Sequence, residues 1–177
     1  MIRSLFLAIL IPFLSSCGYY YEQTVYRLND TSGQWALIHD GVFQMSCGEG
    51  ALITRGITFG TSKTTSLLGM PISSKNEIGL KPVLTLSLKN IDVSRFCDIN
   101  FVNLHNGSDF ISPTSVSQYT HHTKSDFFRV CYIVFPKSIA LEKQFTLTFR
   151  KDTLSCNIDD IGLFKSKDTG YTHVPLQ

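Results

Sequence analysis

The residues that would bind a phosphate or attack an ester are the first candidates for chemistry in this 177-residue chain. Gly56 and Gly60 precede Lys63, but a phosphate-binding loop needs four residues between its glycines and a glycine directly before the lysine. Here three residues separate the glycines, and Ser62 precedes the lysine. The G-x-S-x-G and S-x-x-K signatures of serine enzymes do not occur in the sequence. These spacings argue against a nucleotide site and against those hydrolases.

Two histidines and an aspartate form the next candidate group. His121 and His122 are adjacent, and Asp126 follows them. Imidazole titrates near neutral pH, so the three residues would suit a metal site or an acid–base pair. Adjacent side chains on an extended chain point in opposite directions, which opposes binding of one metal by both histidines. We expect solvated loop histidines and no metal.

A glycosidase would need two carboxylates across a cleft. Glu49 lies between Gly48 and Gly50, and either acid of the pair Asp159-Asp160 could be its partner. The spacing selects no pair. We therefore expect a protein that is not an enzyme and needs no cofactor.

The first residues have the organisation of an export signal. Arg3 provides a positive charge, and residues 5–14 form an apolar run that is too short for a permanent membrane span. The run ends in Leu14-Ser15-Ser16-Cys17.

Those four residues resemble the lipobox of bacterial lipoproteins. The resemblance implies that residues 1–16 are a signal peptide, that Cys17 carries acyl chains such as palmitate, and that residues 17–23 are the anchor and tether. Gly18, where a non-Asp residue usually implies sorting to the outer membrane, implies a chain that faces the periplasm. An ordinary signal peptide followed by a coincidental cysteine is the alternative.

Four further cysteines remain in the exported chain. An even number in an oxidising compartment predicts two disulfides, and four cysteines allow three connectivities. Their wide spacing argues against zinc, and buried free thiols are the remaining alternative. The candidates are Cys47, Cys97, Cys131 and Cys156.

The elements that position these residues read as strands. Leu84, Leu86 and Leu88 alternate with polar residues, as do the apolar residues of 145–149, and this period is typical of half-buried strands. Residues 127–135 are apolar on both faces, which predicts a central strand covered on two sides. No window shows a capped helical stripe. We predict an all-β, antiparallel β-sandwich over residues 24–177, with a small barrel as the alternative and few or short helices.

Two polar stretches interrupt this pattern, residues 60–77 and 108–124, and we interpret them as long loops. Loops of this length are usually functional or disordered, so they are candidate partner-binding surfaces. The candidate residues are Lys63, Thr64, Lys75, Tyr119, His121, His122 and Lys124.

The composition gives no reason to expect a nucleic acid as partner. The 16 basic residues are nearly balanced by 14 acidic ones, whereas nucleic-acid binding needs clustered positive charge. The chain resembles small periplasmic immunity or inhibitor lipoproteins in its size, its export and lipidation signal and its β-strand content, although it shares no motif with them. That resemblance implies a protein partner, namely an envelope-targeting toxin or a lysozyme. A structural component of an envelope or secretion assembly is the alternative function, and a cell-wall or lipid hydrolase is the third.

Overall fold

A computed structural model describes residues 17–67, 70–77, 81–91, 97–107, 109–150, 154 and 156–174. Within these ranges the regular structure consists of β-strands and one 3₁₀ turn, Lys137–Leu141. No helix in the described ranges is long and apolar enough to cross a bilayer. The prediction of an all-β, antiparallel fold is confirmed. The signal-peptide residues 1–16 lie outside the described ranges.

The strands are numbered in chain order. They are β1 (Cys17–Asn29), β2 (Ala36–His39), β3 (Val42–Cys47), β4 (Gly50–Leu67), β5 (Met70–Glu77), β6 (Val83–Lys89), β7 (Val102–Asn106), β8 (Asp109–Ile111), β9 (Ser115–His122), β10 (Phe127–Val134), β11 (Gln144–Phe149) and β12 (Ile161–Val174).

All twelve described strands belong to one hydrogen-bonded sheet. Its main order is β8-β7-β11-β12-β1-β4-β6-β10-β9, while β3 and β5 also pair with β4 and β2 pairs with β3. The sheet is open, ending at β8 and β9, so the barrel alternative does not apply.

The chain divides into two compact units, and each is described by itself. Among the described residues, one comprises 17–24, 60–67, 70–77 and 167–174. In this unit Lys167 Nζ lies 2.8 Å from Glu22 Oε1, and the Tyr21 ring occupies the space that a side chain at Gly170 would need. The segment 17–23, expected to be a tether, lies within β1.

The second unit, residues 25–59 and 81–166, contains the hydrophobic core. Leu84, Leu86 and Leu88 of β6 are fully buried, as their alternation with polar residues predicts. Strands β7 and β11, near one end of the sheet order, contribute to the same cluster as β6 and β10, near the other end. These two parts of the open sheet therefore share one hydrophobic core, as the two layers of a sandwich do.

Two disulfides join distant parts of this unit. Cys47 is bonded to Cys156 and Cys97 to Cys131, with Cα–Cα distances of 5.1 and 5.7 Å. The prediction of two disulfides is confirmed, and the structure selects one of the three connectivities. Disulfides are typical of proteins that fold outside the cytoplasm, so the compartment expected from the sequence, extracytoplasmic, is supported to that extent.

A bulge in β4 interrupts the regular pairing of this strand with β6. The pairing with β6 shifts between Thr54 and Ile57, and Gly56 takes a φ of +82°. A side chain at Gly56 would overlap the backbone carbonyl of Tyr26, so the position requires glycine. The Thr54 hydroxyl accepts from the Gly56 N–H at 3.0 Å and donates to the Thr85 carbonyl at 2.9 Å. These two bonds satisfy backbone groups at the irregularity.

Candidate functional site

The two segments that the sequence predicts as long loops are strands in the structure. Residues 60–67 and 70–77 form a hairpin, and β9 occupies residues 115–122. The loop interpretation was wrong because neither segment has the apolar alternation that indicates a half-buried strand, and in β9 every side chain but that of Val116 is exposed. Thr and other β-branched residues favour the extended conformation even where the side chains are polar.

The first group of candidates lies on the β4–β5 hairpin, in the first unit. The register places Lys63 opposite Lys75 and Thr64 opposite Ser74. The three candidate positions on this hairpin are therefore neighbours, although the two lysines are twelve positions apart in sequence.

The second group lies in the second unit. Tyr119, His121 and His122 are in β9, and Lys124 follows in the connection to β10. Along β9 the side chains alternate between the two sides of the sheet. Tyr119 and His121 therefore share one side, while His122 lies on the other.

Tyr119 and His121 belong to a larger surface, which we call the outer face. Alternate residues of β6 and β10 are fully buried, so the intervening residues point away from the core, and the register extends this side onto β9. The outer face comprises Val83, Thr85, Ser87 and Lys89 of β6, Phe128, Val130, Tyr132 and Val134 of β10, and Ser115, Ser117, Tyr119 and His121 of β9. It contains no acidic residue, and Lys89 is its one lysine.

Two tyrosines are the exposed aromatic centre of the outer face. The rings of Tyr119 and Tyr132 stack with centroids 5.7 Å apart and an interplanar angle of 21°. Their exposed fractions are 47% and 37%. The hydrogen bond with Tyr119 raises the pKa of the Tyr132 phenol. The Tyr132 phenol is therefore neutral at physiological pH, and each tyrosine offers a polar hydroxyl beside an apolar ring.

The basic end of the outer face is held in place by a polar network. Lys89 Nζ lies 5.9 Å from the centroid of the Phe128 ring and 3.3 Å from Asp126 Oδ1. Asn90 donates to Asp126 at 3.1 Å and accepts from the Phe127 N–H at 2.9 Å. The hydrogen bond from Asn90, followed by that from Lys89, lowers the pKa of Asp126. This carboxylate positions the lysine beside the aromatic ring.

The same network bears on the histidine–aspartate candidates. Asp126 is already bonded to Asn90 and Lys89, and the His122 ring packs against Phe127 with centroids 5.0 Å apart. His121 and His122 occupy opposite sides of β9. Within the part of the chain that the structure describes, no group of three or more His, Cys, Asp or Glu residues is placed to hold a metal ion.

The carboxylates considered for glycosidase chemistry lie on the surface. Glu49 is in the turn between β3 and β4, and Asp159 and Asp160 precede β12. All three are exposed, and the Asp159 N–H donates to Gln34 Oε1 at 3.1 Å. The Cys47–Cys156 bond joins the segments that carry them.

The sequence did not predict that Tyr132 is exposed beside the half-buried Phe128. The signal was present, because residues 127–135 are apolar on both sides, but it was interpreted as a strand covered twice. In the structure Cys131 and Ile133 face the core, while Tyr132 on the opposite side is exposed. An exposed aromatic ring among apolar residues on the second side of a strand, as Tyr132 is here, is typical of an interaction surface.

Comparisons of the chain with models of protein families, with curated proteins and with solved structures find no match.

Proposed function

We propose that this chain is a lipid-anchored protein of the bacterial envelope that binds another protein through the outer face. In the form we favour, it is an immunity or inhibitor protein that neutralises an envelope-targeting toxin or a lysozyme. The observation that carries the binding proposal is the exposed Tyr119–Tyr132 stack on a sheet face with a single lysine and no acid.

The composition of the outer face supports a protein partner. Protein interfaces are enriched in aromatic residues and depleted in charge at their centre, and tyrosine is over-represented among the residues that dominate binding energy. A tyrosine stack also loses little conformational freedom on binding, because the partner ring already limits its rotation. Lys89, held by Asp126 at the edge, would favour an acidic group on the rim of the partner.

The envelope location rests on two supports of different kinds. The disulfides agree with an extracytoplasmic protein. The lipobox Leu14-Ser15-Ser16-Cys17 supports anchoring through Cys17, in the outer membrane and facing the periplasm. More than one acyl chain makes such an anchor stable.

A Cys17→Ser substitution tests the anchor. We expect the variant to leave the membrane fraction or to accumulate as unprocessed precursor, and the wild-type protein to carry acyl mass at its first residue by mass spectrometry. Unchanged membrane fractionation of the variant would contradict lipidation, and it would leave the binding proposal untouched.

Binding is tested with the chain from Gly18 onward, which retains both disulfides and the complete core. Used as bait on envelope and competitor lysates, it should retain a stoichiometric partner, and the purified pair should then be titrated directly. Each tyrosine of the stack changed to alanine should weaken binding by about 2 kcal/mol or more, as anchor residues do.

Lys63→Ala with Lys75→Ala on the β4–β5 hairpin provides the matched control, because these candidates lie in the other compact unit. Loss of binding in this variant, with the tyrosine variants unaffected, would assign recognition to the hairpin and contradict our choice of surface.

Stoichiometric loss of a toxin's or lysozyme's activity on adding the chain would support the inhibitor function. Capture of a large assembly instead would favour the structural alternative. Hydrolysis of peptidoglycan or phospholipid by the chain, abolished by Glu49→Ala, would favour the enzyme.

A further inference from the structure

Strand β9 is a long edge of the sheet with one side open. It pairs with β10 along its whole length, from Ser115 opposite Val134 to His122 opposite Phe127. Within the described residues β10 is its only strand neighbour. Apart from Val116, which packs against the core, all of its side chains are exposed.

The hydrogen-bonding direction of each β9 residue follows from its neighbours. The N–H of Asn90 donates to the carbonyl of Phe127, and the N–H of Phe135 donates to that of Pro82, so odd-numbered residues of β10 bond towards β6. Even-numbered residues of β10 therefore bond towards β9, and the N–H of Thr123 accordingly donates to the carbonyl of Asp126.

Each even-numbered residue of β10 lies opposite an odd-numbered residue of β9. The backbone groups of Val116, Gln118, Thr120 and His122 consequently point away from β10, to the open side. They form a regular row of donors and acceptors that has no bulge along the β9–β10 register.

The other edges of the described sheet are protected against pairing. β8 has three residues, and β2 has four with a register shift between Leu37 and His39. β5 carries Pro71 and Lys75. Short edges, bulges, proline and lysine are the devices by which native sheets prevent unwanted strand addition. β9 has eight residues and none of these protective features, which favours the addition of another strand at its open edge.

We propose that two copies of the chain pair through β9, antiparallel, about a two-fold axis at Tyr119, so that the sheet continues from one copy into the other. This inference goes beyond the proposed function and does not depend on it. The strand contains no lysine, arginine or acid, so no side chains of these types with like charge face each other when two copies pair.

The register of this pairing follows from the open backbone groups. An axis at Tyr119 places Gln118 opposite Thr120 and Val116 opposite His122 of the second copy, which are hydrogen-bonded pairs on both sides of the axis. Tyr119 then meets its own copy in a non-hydrogen-bonded pair, where Cα atoms are about 4.5 Å apart. Because Tyr119 already stacks on Tyr132, four tyrosines line up across the two copies. An axis at Gln118 would use the same backbone groups but lose this aromatic pair.

The test uses the chain from Gly18 onward. Sedimentation of the wild type over a range of concentrations should show a monomer–dimer equilibrium. Thr120→Pro removes an open N–H from each copy without removing a bond to β10, and it should weaken the dimer at least about tenfold. Thr120→Val keeps the N–H and should leave dimerisation unchanged. Near-ultraviolet circular dichroism verifies that each variant is folded.

A cysteine pair tests the position of the axis. Two Tyr119→Cys copies would face each other at a distance that a disulfide can bridge, so mild oxidation should yield a covalent dimer. Gln118→Cys lies one residue away and on the other side of the sheet, and it should not cross-link. The proposal is overturned if the wild type remains monomeric at the highest concentration and Tyr119→Cys forms no cross-link. In that case the β9 edge would be expected to pair with a strand of another protein. Cross-linking of Gln118→Cys alone overturns the register.

Discussion

Replacing Tyr26 by phenylalanine removes one oxygen from the centre of the core. The buried hydroxyl donates its one proton to a bond shared by the carbonyls of Ile139 and Glu142, at 2.5 and 2.8 Å, so it ties β1 to the 3₁₀ turn. The ring contacts with Phe59 and Phe145, at 5.2 and 5.3 Å between centroids, survive the change. Phenylalanine would leave the buried Ile139 carbonyl without this donor, and an unsatisfied buried acceptor predicts a loss of about 1 to 3 kcal/mol in the free energy of unfolding.

The same hydroxyl makes stability depend on pH. Burial, with a smaller contribution from the charge of Glu142, raises the pKa of Tyr26 from 10.0 to about 12. The folded state holds the proton more tightly than the unfolded state, so this stabilisation is complete below about pH 10 and is lost as the pH rises to about 12. A shift of this size corresponds to at most about 3 kcal/mol.

Denaturant titrations between pH 7 and 12, followed by the fluorescence of the buried Trp35, measure both effects with the disulfides intact. Tyr20→Phe serves as the control, since Tyr20 is exposed, and it should change stability by less than about 0.5 kcal/mol. If Tyr26→Phe is as stable as the wild type and loses stability equally above pH 10, the assigned role of this hydroxyl is refuted.

Two further perturbations test the core. Gly56→Ala should destabilise the fold by at least about 2 kcal/mol in a thermal or denaturant melt, because a Cβ there overlaps a carbonyl of the neighbouring strand and φ is positive; a change below about 0.5 kcal/mol would contradict the bulge geometry. Each disulfide should contribute about 2 to 4 kcal/mol, and identical melting with and without reductant would contradict that contribution. If a disulfide stabilises by restricting the unfolded chain, the bond that closes the longer loop contributes more. Removing Cys47–Cys156, with a sequence separation of 109, should therefore cost about 1 kcal/mol more than removing Cys97–Cys131, with a separation of 34. Melts of the two paired alanine variants measure this difference, and the opposite order would contradict the entropic explanation.

Local pattern sufficed where apolar and polar residues alternate strictly, as in β6. The alternation of Leu84, Leu86 and Leu88 predicted a half-buried strand correctly, because the two-residue period transfers directly from sequence to the two sides of a sheet. An even number of cysteines in an exported chain likewise predicted the disulfides. Patterning failed at residues 60–77 and 115–122, whose strands lack a regular apolar alternation; in β9 the side chains other than Val116 are exposed, so no buried side imposes a period.

Sequence by itself determined the all-strand character of this protein, the likeness of Leu14-Ser15-Ser16-Cys17 to a lipobox, and the poverty of the chain in catalytic motifs, because each depends on residues close together in the chain. Only the tertiary structure decided which cysteines pair, that Tyr119 stacks on Tyr132, and that β9 is an open edge. Those features depend on strand order and register, which are set by packing between residues far apart in sequence. Tyr132 illustrates the difference: its strand was predicted, but the side of the sheet that solvent reaches is fixed by where the core lies.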